Sequence, residues 1–251
     1  MSCLHSCRNG LRALLFLAAS SLIATGAAAK QNVPYVVELF TSQGCSSCPP
    51  ADQLLTKISR EPQVVALSLP VDYWDYMGWK DTLASPEFTA RQKNYAAARG
   101  DGHVYTPQAV IDGLVHVVGS NKNSLKTAAK AAYGASGAMS VSLALKQVNG
   151  KLVADVGGAN AAAKSGLLWL VRVAKKRTVV VRAGENAGRT LTYTNVVRSL
   201  RSFGRWNGTP AQFEVPSLDL GADADGYVVL LQAGSSMRPG AILAFAKGDG
   251  M

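Results

Sequence analysis

Two cysteines two residues apart, Cys45-Ser46-Ser47-Cys48, stand between an apolar run, Val33 to Phe40, and a helix-like stretch that opens with Pro49-Pro50. The stabilisation a disulfide supplies grows with the loop it closes, and a two-residue spacer closes almost none. A strand-to-helix junction instead places the pair where backbone N–H groups and the helix dipole favour a thiolate, the nucleophile of disulfide exchange. Cys45, nearest the helix start, is expected to be the catalytic nucleophile. Cys48, a turn further in, is expected to be the buried resolving thiol. The Ser46-Ser47 spacer leaves the direction of electron flow open.

The first 29 residues read as a leader. Arg8 and Arg12 form a positive region, Ala13 to Ile23 a short apolar core, and Ala27-Ala28-Ala29 a small-residue cleavage site before Lys30. The core is shorter than the roughly 20 residues of a spanning helix. The expectation is an exported protein, periplasmic or secreted. Cys3 and Cys7 leave with the leader, so Cys45 and Cys48 remain as the only thiols in an oxidising compartment. Arg8 and Arg12 leave too, and 26 Lys and Arg against 16 acids become a net charge of about +8. That balance implies acidic or anionic envelope partners. Nucleic acid is excluded as a partner, since no aromatic-basic RNA motif or DNA-binding helix pattern is present.

The next stretch alternates element types. Val33 to Phe40 and Val64 to Val71 read as strands buried on both faces, joined by a helix over Pro49 to Arg60. Ser85 to Arg99 reads as a helix with Ser85 as N-cap, Pro86 in the first turn and a stop at Gly100-Asp101-Gly102. Gln108 to Ile111 and Leu114 to Val118 flank Asp112-Gly113, a hairpin signal, and Asn121 to Tyr133 reads as a helix.

After Gly134 to Gly137 the pattern changes to short strands and turns. Ser140 to Lys146 and Leu152 to Val156 surround Asn149-Gly150; Leu167 to Val173 and Thr178 to Arg182 are separated by Lys175-Lys176-Arg177. Tyr227 to Gln232 and Ala241 to Ala246 complete a spacing that predicts an all-β sandwich. The expected organisation is a leader over 1–29, a first domain over 30–136 and a β-sandwich-like accessory domain over 137–251.

Strand, helix, strand, helix, hairpin, helix, with Cys-x-x-Cys at the first junction, resembles the minimal thioredoxin fold. The expected fold class is therefore an α/β thioredoxin-like domain followed by an all-β sandwich-like domain. The resemblance implies a cis proline at Pro107, after Thr106, packed against the cysteines and shaping a substrate groove. It also implies a proton-exchanging role for the buried acid Glu38, with pairing to a surface Lys or Arg as the alternative. The wording of Val37 to Asp52, of Val71-Asp72-Tyr73-Trp74-Asp75, of Tyr105-Thr106-Pro107-Gln108, of Gly184-Glu185-Asn186 and of Asn195-Val196-Val197-Arg198 is similar to exported thioredoxin-like proteins catalogued as domain of unknown function 1223.

Tyr73, Trp74 and Asp72 are expected substrate-binding residues, because the aromatic stretch Val71 to Trp79 leaves the second strand at the same sheet end as the cysteines, and the resemblance adds Thr106, the residue before Pro107. The expected activity is thiol–disulfide exchange on protein or small-molecule thiols and disulfides, with no cofactor and no metal. Two other readings stay open: a non-catalytic binding module that uses the β-domain, and a copper chaperone ligating through Cys45, Cys48 and His103. Lys175, Lys176, Arg177, Arg182, Arg189, Arg198, Arg201 and Arg205 crowd around Glu185, as a solvated sheet face or an acidic-partner surface would.

Overall fold

The computed structural model describes residues 33–159, 162–216 and 222–251; the leader expected over 1–29 lies outside them. Local signals set the first elements: β1 (Tyr35–Thr41), α1 (Pro49–Ile58), β2 (Val64–Pro70), α2 (Pro86–Arg99), β3 (Gln108–Ile111), β4 (Val115–Val118) and α3 (Lys122–Ala132). Ser85 Oγ accepts from the Glu87 N–H at 3.2 Å, and Gly100 ends α2 at φ +75°. The β3–β4 turn puts Asp112 (φ 49°) and Gly113 (φ 73°) in left-handed conformations, the geometry of a two-residue hairpin turn. A Cβ at Gly113 would stand 2.3 Å from the Gly240 carbonyl oxygen, so the position has no room for a side chain.

The remaining strands are β5 (Leu143–Val148), β6 (Lys151–Val156), β7 (Gly166–Val180), β8 (Thr190–Trp206), β9 (Ala211–Glu214), β10 (Gly226–Gly234) and β11 (Pro239–Lys247). One mixed sheet runs β11-β10-β7-β8-β2-β1-β3-β4, and β5-β6-β9 form a second. Within the large sheet β1–β2 and β2–β8 are parallel. The β2–β8 junction is narrow, Ser68 opposite Val196, and is reinforced by Asn195, which donates from Nδ2 to the Ala66 carbonyl at 3.0 Å.

Alternation along the strands divides the core. Val65, Leu67 and Leu69 of β2 face α2 (Phe88, Tyr95) together with Val171 of β7 and Val228 of β10. On the other face, Val37, Leu39 and Ala66 pack on α1 and α3, and Leu170, Val229 and Leu243 pack with Ala154 and Val156 of β6. Helix α2 thus covers one side of the sheet, with α1 and α3 on the opposite side.

This architecture corrects the expected fold class, an α/β thioredoxin-like domain followed by an all-β sandwich. The chain is mostly strand, 42% against 19% helix, with three α-helices among the described residues. Strands from both sides of position 137 belong to the same eight-stranded sheet, and Asn32–Met251 form one compact unit. The expected break at Lys175-Lys176-Arg177 is absent, because β7 runs straight through it. Those cations sit on a strand paired with β8, and Arg177 reaches Asp225 at 3.2 Å, so charge there marks a solvated flank rather than a turn. Pairing of β8 with β2 across more than a hundred residues has no local periodicity for the sequence to display.

Candidate functional site

The Ser42-Gln43-Gly44 turn carries the chain from β1 to the cysteines, with the Cys45 N–H bonded to the Ser42 carbonyl at 3.2 Å. Cys45 and Cys48 are joined as a disulfide with Cα atoms 5.4 Å apart. Cys48 caps α1: its carbonyl accepts from the Ala51 and Asp52 N–H groups at 2.8 and 3.2 Å. Ser46 and Ser47 are exposed, whereas Cys45 is only 1% exposed and Cys48 fully buried. The expected nucleophile is therefore roofed over.

Three segments make the enclosure. From the β7–β8 loop, Asn186 donates from Nδ2 to the carbonyls of Gln43 and Cys45, both at 2.9 Å, and Glu185 Oε2 accepts from the Ser46 N–H at 3.0 Å. From the segment after β2, Trp74 lies beside Gly44, where an added Cβ would come within 3.1 Å of the Trp74 Cβ. Trp74 Nε1 donates to Thr106 Oγ1 at 2.8 Å, joining the aromatic stretch to the loop of Pro107, whose peptide bond to Thr106 is cis. That loop is the third segment. A Cβ on Gly119 would meet Leu39, Ala51 and Pro107 at 2.5, 3.3 and 3.6 Å, which places Pro107 beside the first turn of α1.

The other expected site residues fall elsewhere. Glu38 points to the α2 side of the sheet, where Arg91 donates to its two carboxylate oxygens at 2.6 and 3.1 Å and Tyr95 Oη donates to Oε2. Helix α1 packs on the opposite face, so Glu38 is held in a buried ion pair away from the cysteine side. Asp72 Oδ1 accepts from Thr89 Oγ1 at 2.5 Å and anchors α2. Tyr73 packs against the α2-side core, and its hydroxyl is held above the ordinary phenol range by burial. His103 meets Asp101 and His116 instead of completing a ligand set with the cysteines.

Four residues belong to the site that sequence reasoning did not select: Gln43, Asp52, Asp81 and Asn186. Gln43 is fully buried; its N–H donates to Asp81 Oδ2 at 2.7 Å and its Oε1 accepts from Trp79 Nε1 at 2.8 Å. Burial, with a smaller push from the Asp75 carboxylate, raises Asp81 to about 6 against backbone hydrogen bonds from Gln43, Leu83 and Ala84. Asp52 lies four residues beyond Cys48, on the same helical face. It is 5% exposed, and burial raises its pKa to about 8 against the opposing influence of the neighbouring Thr41 hydroxyl. A cleft of about 440 Å³ between α1 and β8 opens at this position. The available signal was a lone acid on a helix face otherwise made of Ala51, Leu54, Leu55 and Ile58.

The helix start is poorer in anion-stabilising groups than its position implies. Pro49 and Pro50 contribute no N–H, the Ala51 and Asp52 amides serve Cys48, and the Ser46 amide serves Glu185. The Glu185 carboxylate, held below the usual carboxylate range by the Ser46 hydrogen bonds, adds a negative charge beside Cys45. In the reduced protein, Glu185→Gln keeps an acceptor for Ser46 and removes only that charge. It is expected to speed alkylation of Cys45 at pH 7 about two- to threefold. An unchanged or slower rate would remove Glu185 from the electrostatics of the pair.

Among solved structures, the chain is similar to protein AGR_C_4864 from Agrobacterium tumefaciens at 35% identity and a TM-score of 0.76, covering 89% of this chain and 97% of that one. It is also similar in fold to HBP35 of Porphyromonas gingivalis, with 13% identity and a TM-score of 0.54 over 86% of this chain and 75% of that one. No curated protein matches. The family model described as "Protein of unknown function (DUF1223)" matches residues 36–232, a span that runs from β1 through the roofed cysteine pair to β10, and the chain belongs to that family.

Proposed function

We propose that this protein is an exported thiol–disulfide oxidoreductase acting on protein or small-molecule thiols in the cell envelope through Cys45 and Cys48. The observation that carries this reading is the disulfide itself: it spans two residues and so adds little loop-closure stability, yet segments from three distant parts of the chain enclose it. Asn186 and Glu185 hold the backbone of Cys45 and Ser46, so the β7–β8 loop braces the turn that carries the buried sulfur.

In the reducing direction the Cys45 thiolate attacks a partner disulfide, forming a Cys45–partner mixed disulfide and expelling one partner thiolate. Cys48 then loses its proton and attacks the Cys45 sulfur, closing Cys45–Cys48 and releasing the second partner thiolate. The partner gains two electrons and the pair loses two. Cys48 is fully buried, so water cannot easily take its proton. Asp52, one turn along α1 and raised to about 8, is matched to an ordinary thiol near 8.5 and serves as acceptor.

The electrostatics favour that direction. A strong oxidant stabilises its reduced, thiolate form, whereas here two prolines and the Glu185 carboxylate withhold that stabilisation. Equilibration with thiol redox buffers is expected to give a potential of about −200 to −270 mV. A value near −120 mV would reverse the direction, and one well below about −300 mV would make the bond inert. Cys48→Ala, which leaves Cys45 without its resolving thiol, is expected to accumulate mixed disulfides with envelope proteins. The burial of Cys45 favours a second reading, a binding module with a closed disulfide. Absence of trapped species together with no exchange by the parent protein would establish that alternative.

A further inference from the structure

Asp101, His103 and His116 lie outside the cysteine site, and one ligand atom from each comes within 4.8 Å of the others. They meet because the loop after α2 folds back over β4. The His103 N–H donates to Asp101 Oδ1 at 2.9 Å, and the His103 carbonyl accepts from Gln108 Nε2 at 3.0 Å. His116 projects from β4, its ring 5.6 Å from that of His103.

We propose that these three side chains form a surface site for a borderline divalent transition ion, of which Zn²⁺ is the best match. Ion bonds of about 2.0–2.1 Å in a tetrahedron separate neighbouring ligand atoms by about 3.3 Å. His116 Nε2 and Asp101 Oδ2 already stand 3.3 Å apart. The third ligand must approach by up to about 1.5 Å to reach that tetrahedral separation, and the exposed His103 ring can turn on a backbone that is pinned on both sides.

The surrounding groups suit ligation. Tyr105 Oη lies 2.9 Å from His116 Nδ1. With Nδ1–H donating to that oxygen, Nε2 presents its lone pair towards Asp101, the arrangement that orients metal-bound imidazoles. Arg99 donates to both Asp101 oxygens at 2.7 and 3.2 Å, fixing the carboxylate and keeping it ionised. Two imidazoles and one carboxylate leave a fourth position for water or a ligand from a partner. Nitrogen and oxygen donors match Zn²⁺ and Cu²⁺ better than Mg²⁺ or Ca²⁺, which take oxygen alone.

Competition with a chromophoric chelator measures the site directly, using Zn²⁺ and the oxidised full-length chain. One equivalent of Zn²⁺ is expected to bind per chain. His103→Ala and His116→Ala, both surface changes, are each expected to weaken binding at least tenfold, and Cys45→Ser/Cys48→Ser to leave it unchanged. Binding that survives both histidine substitutions, that disappears with the cysteines, or that is absent in the parent overturns the proposal. None of these outcomes depends on the exchange activity proposed for the cysteine pair.

Discussion

Arg91→Met is expected to lower the free energy of unfolding by about 3–5 kcal/mol, the range for removing one partner of a buried ion pair. Glu38 would remain with no access to water, since it is fully buried on β1. Arg91 also donates to Tyr95 Oη at 2.7 Å and to Gln232 Oε1 at 3.0 Å, and its guanidinium lies 4.9 Å from the Tyr95 ring and 5.8 Å from that of Trp169. Gln232 returns a hydrogen bond to Tyr95 Oη at 2.8 Å. The network therefore ties α2 to β1, β7 and β10, joining early and late parts of the chain under one helix. Urea unfolding at neutral pH measures the loss. Glu38→Gln combined with Arg91→Met should cost less than Arg91→Met alone, because no charge is then stranded. A loss below about 1 kcal/mol for the single substitution, within the range of surface pairs, would falsify this account.

Asp52→Asn is expected to stabilise the protein, increasingly so as pH rises. The folded carboxyl is held at about 8 chiefly by burial, while an unfolded aspartate ionises near 3.9. Below about pH 4 both states are protonated and the residue's contribution is at its most favourable. Between about 4 and 8 the unfolded state loses its proton and the folded state keeps it, so unfolding gains up to about 1.4 kcal/mol per pH unit. Asparagine does not titrate. The variant should match or fall below the parent at pH 4 and exceed it by roughly 2–4 kcal/mol at pH 8, after the cost of a buried amide. The same substitution should slow closure of the mixed disulfide and remove the inflection near pH 8 from its rate profile. A stability difference independent of pH would mean that the Asp52 carboxyl has the same pKa in the folded and unfolded chain and is not matched to the Cys48 thiol.

Both residues show how unevenly the molecule can be read from its sequence. Glu38 stood out as an acid in an apolar strand, but its partner Arg91 is 53 residues away. Only the face of the sheet it occupies decides between an ion pair and a proton carrier. Asp52 lay within a motif noticed for its cysteines, and its burial depends on β8, which contributes Thr194 to the contact with Thr56 of α1 at 2.8 Å. Trp74, from the stretch after β2, and Thr106, just before β3, do meet at the cysteine end, whereas Asp72 turns to Thr89 of α2.

Short-range physics controls the features that are legible along the chain before it folds. The two-residue spacing of the cysteines, the Ser85 cap and Gly100 stop of α2, and the left-handed Asp112-Gly113 turn all depend on atoms within a few residues of one another. Tertiary structure alone decided that β8 joins β2 in a single sheet, that Glu185 reaches Ser46 across 139 positions, and that Asp101, His103 and His116 converge. Hydrophobic periodicity reports that a face is buried but not against what. Single hydrogen bonds between loops leave no periodic trace, so the roof over the cysteines becomes visible only when the chain has folded.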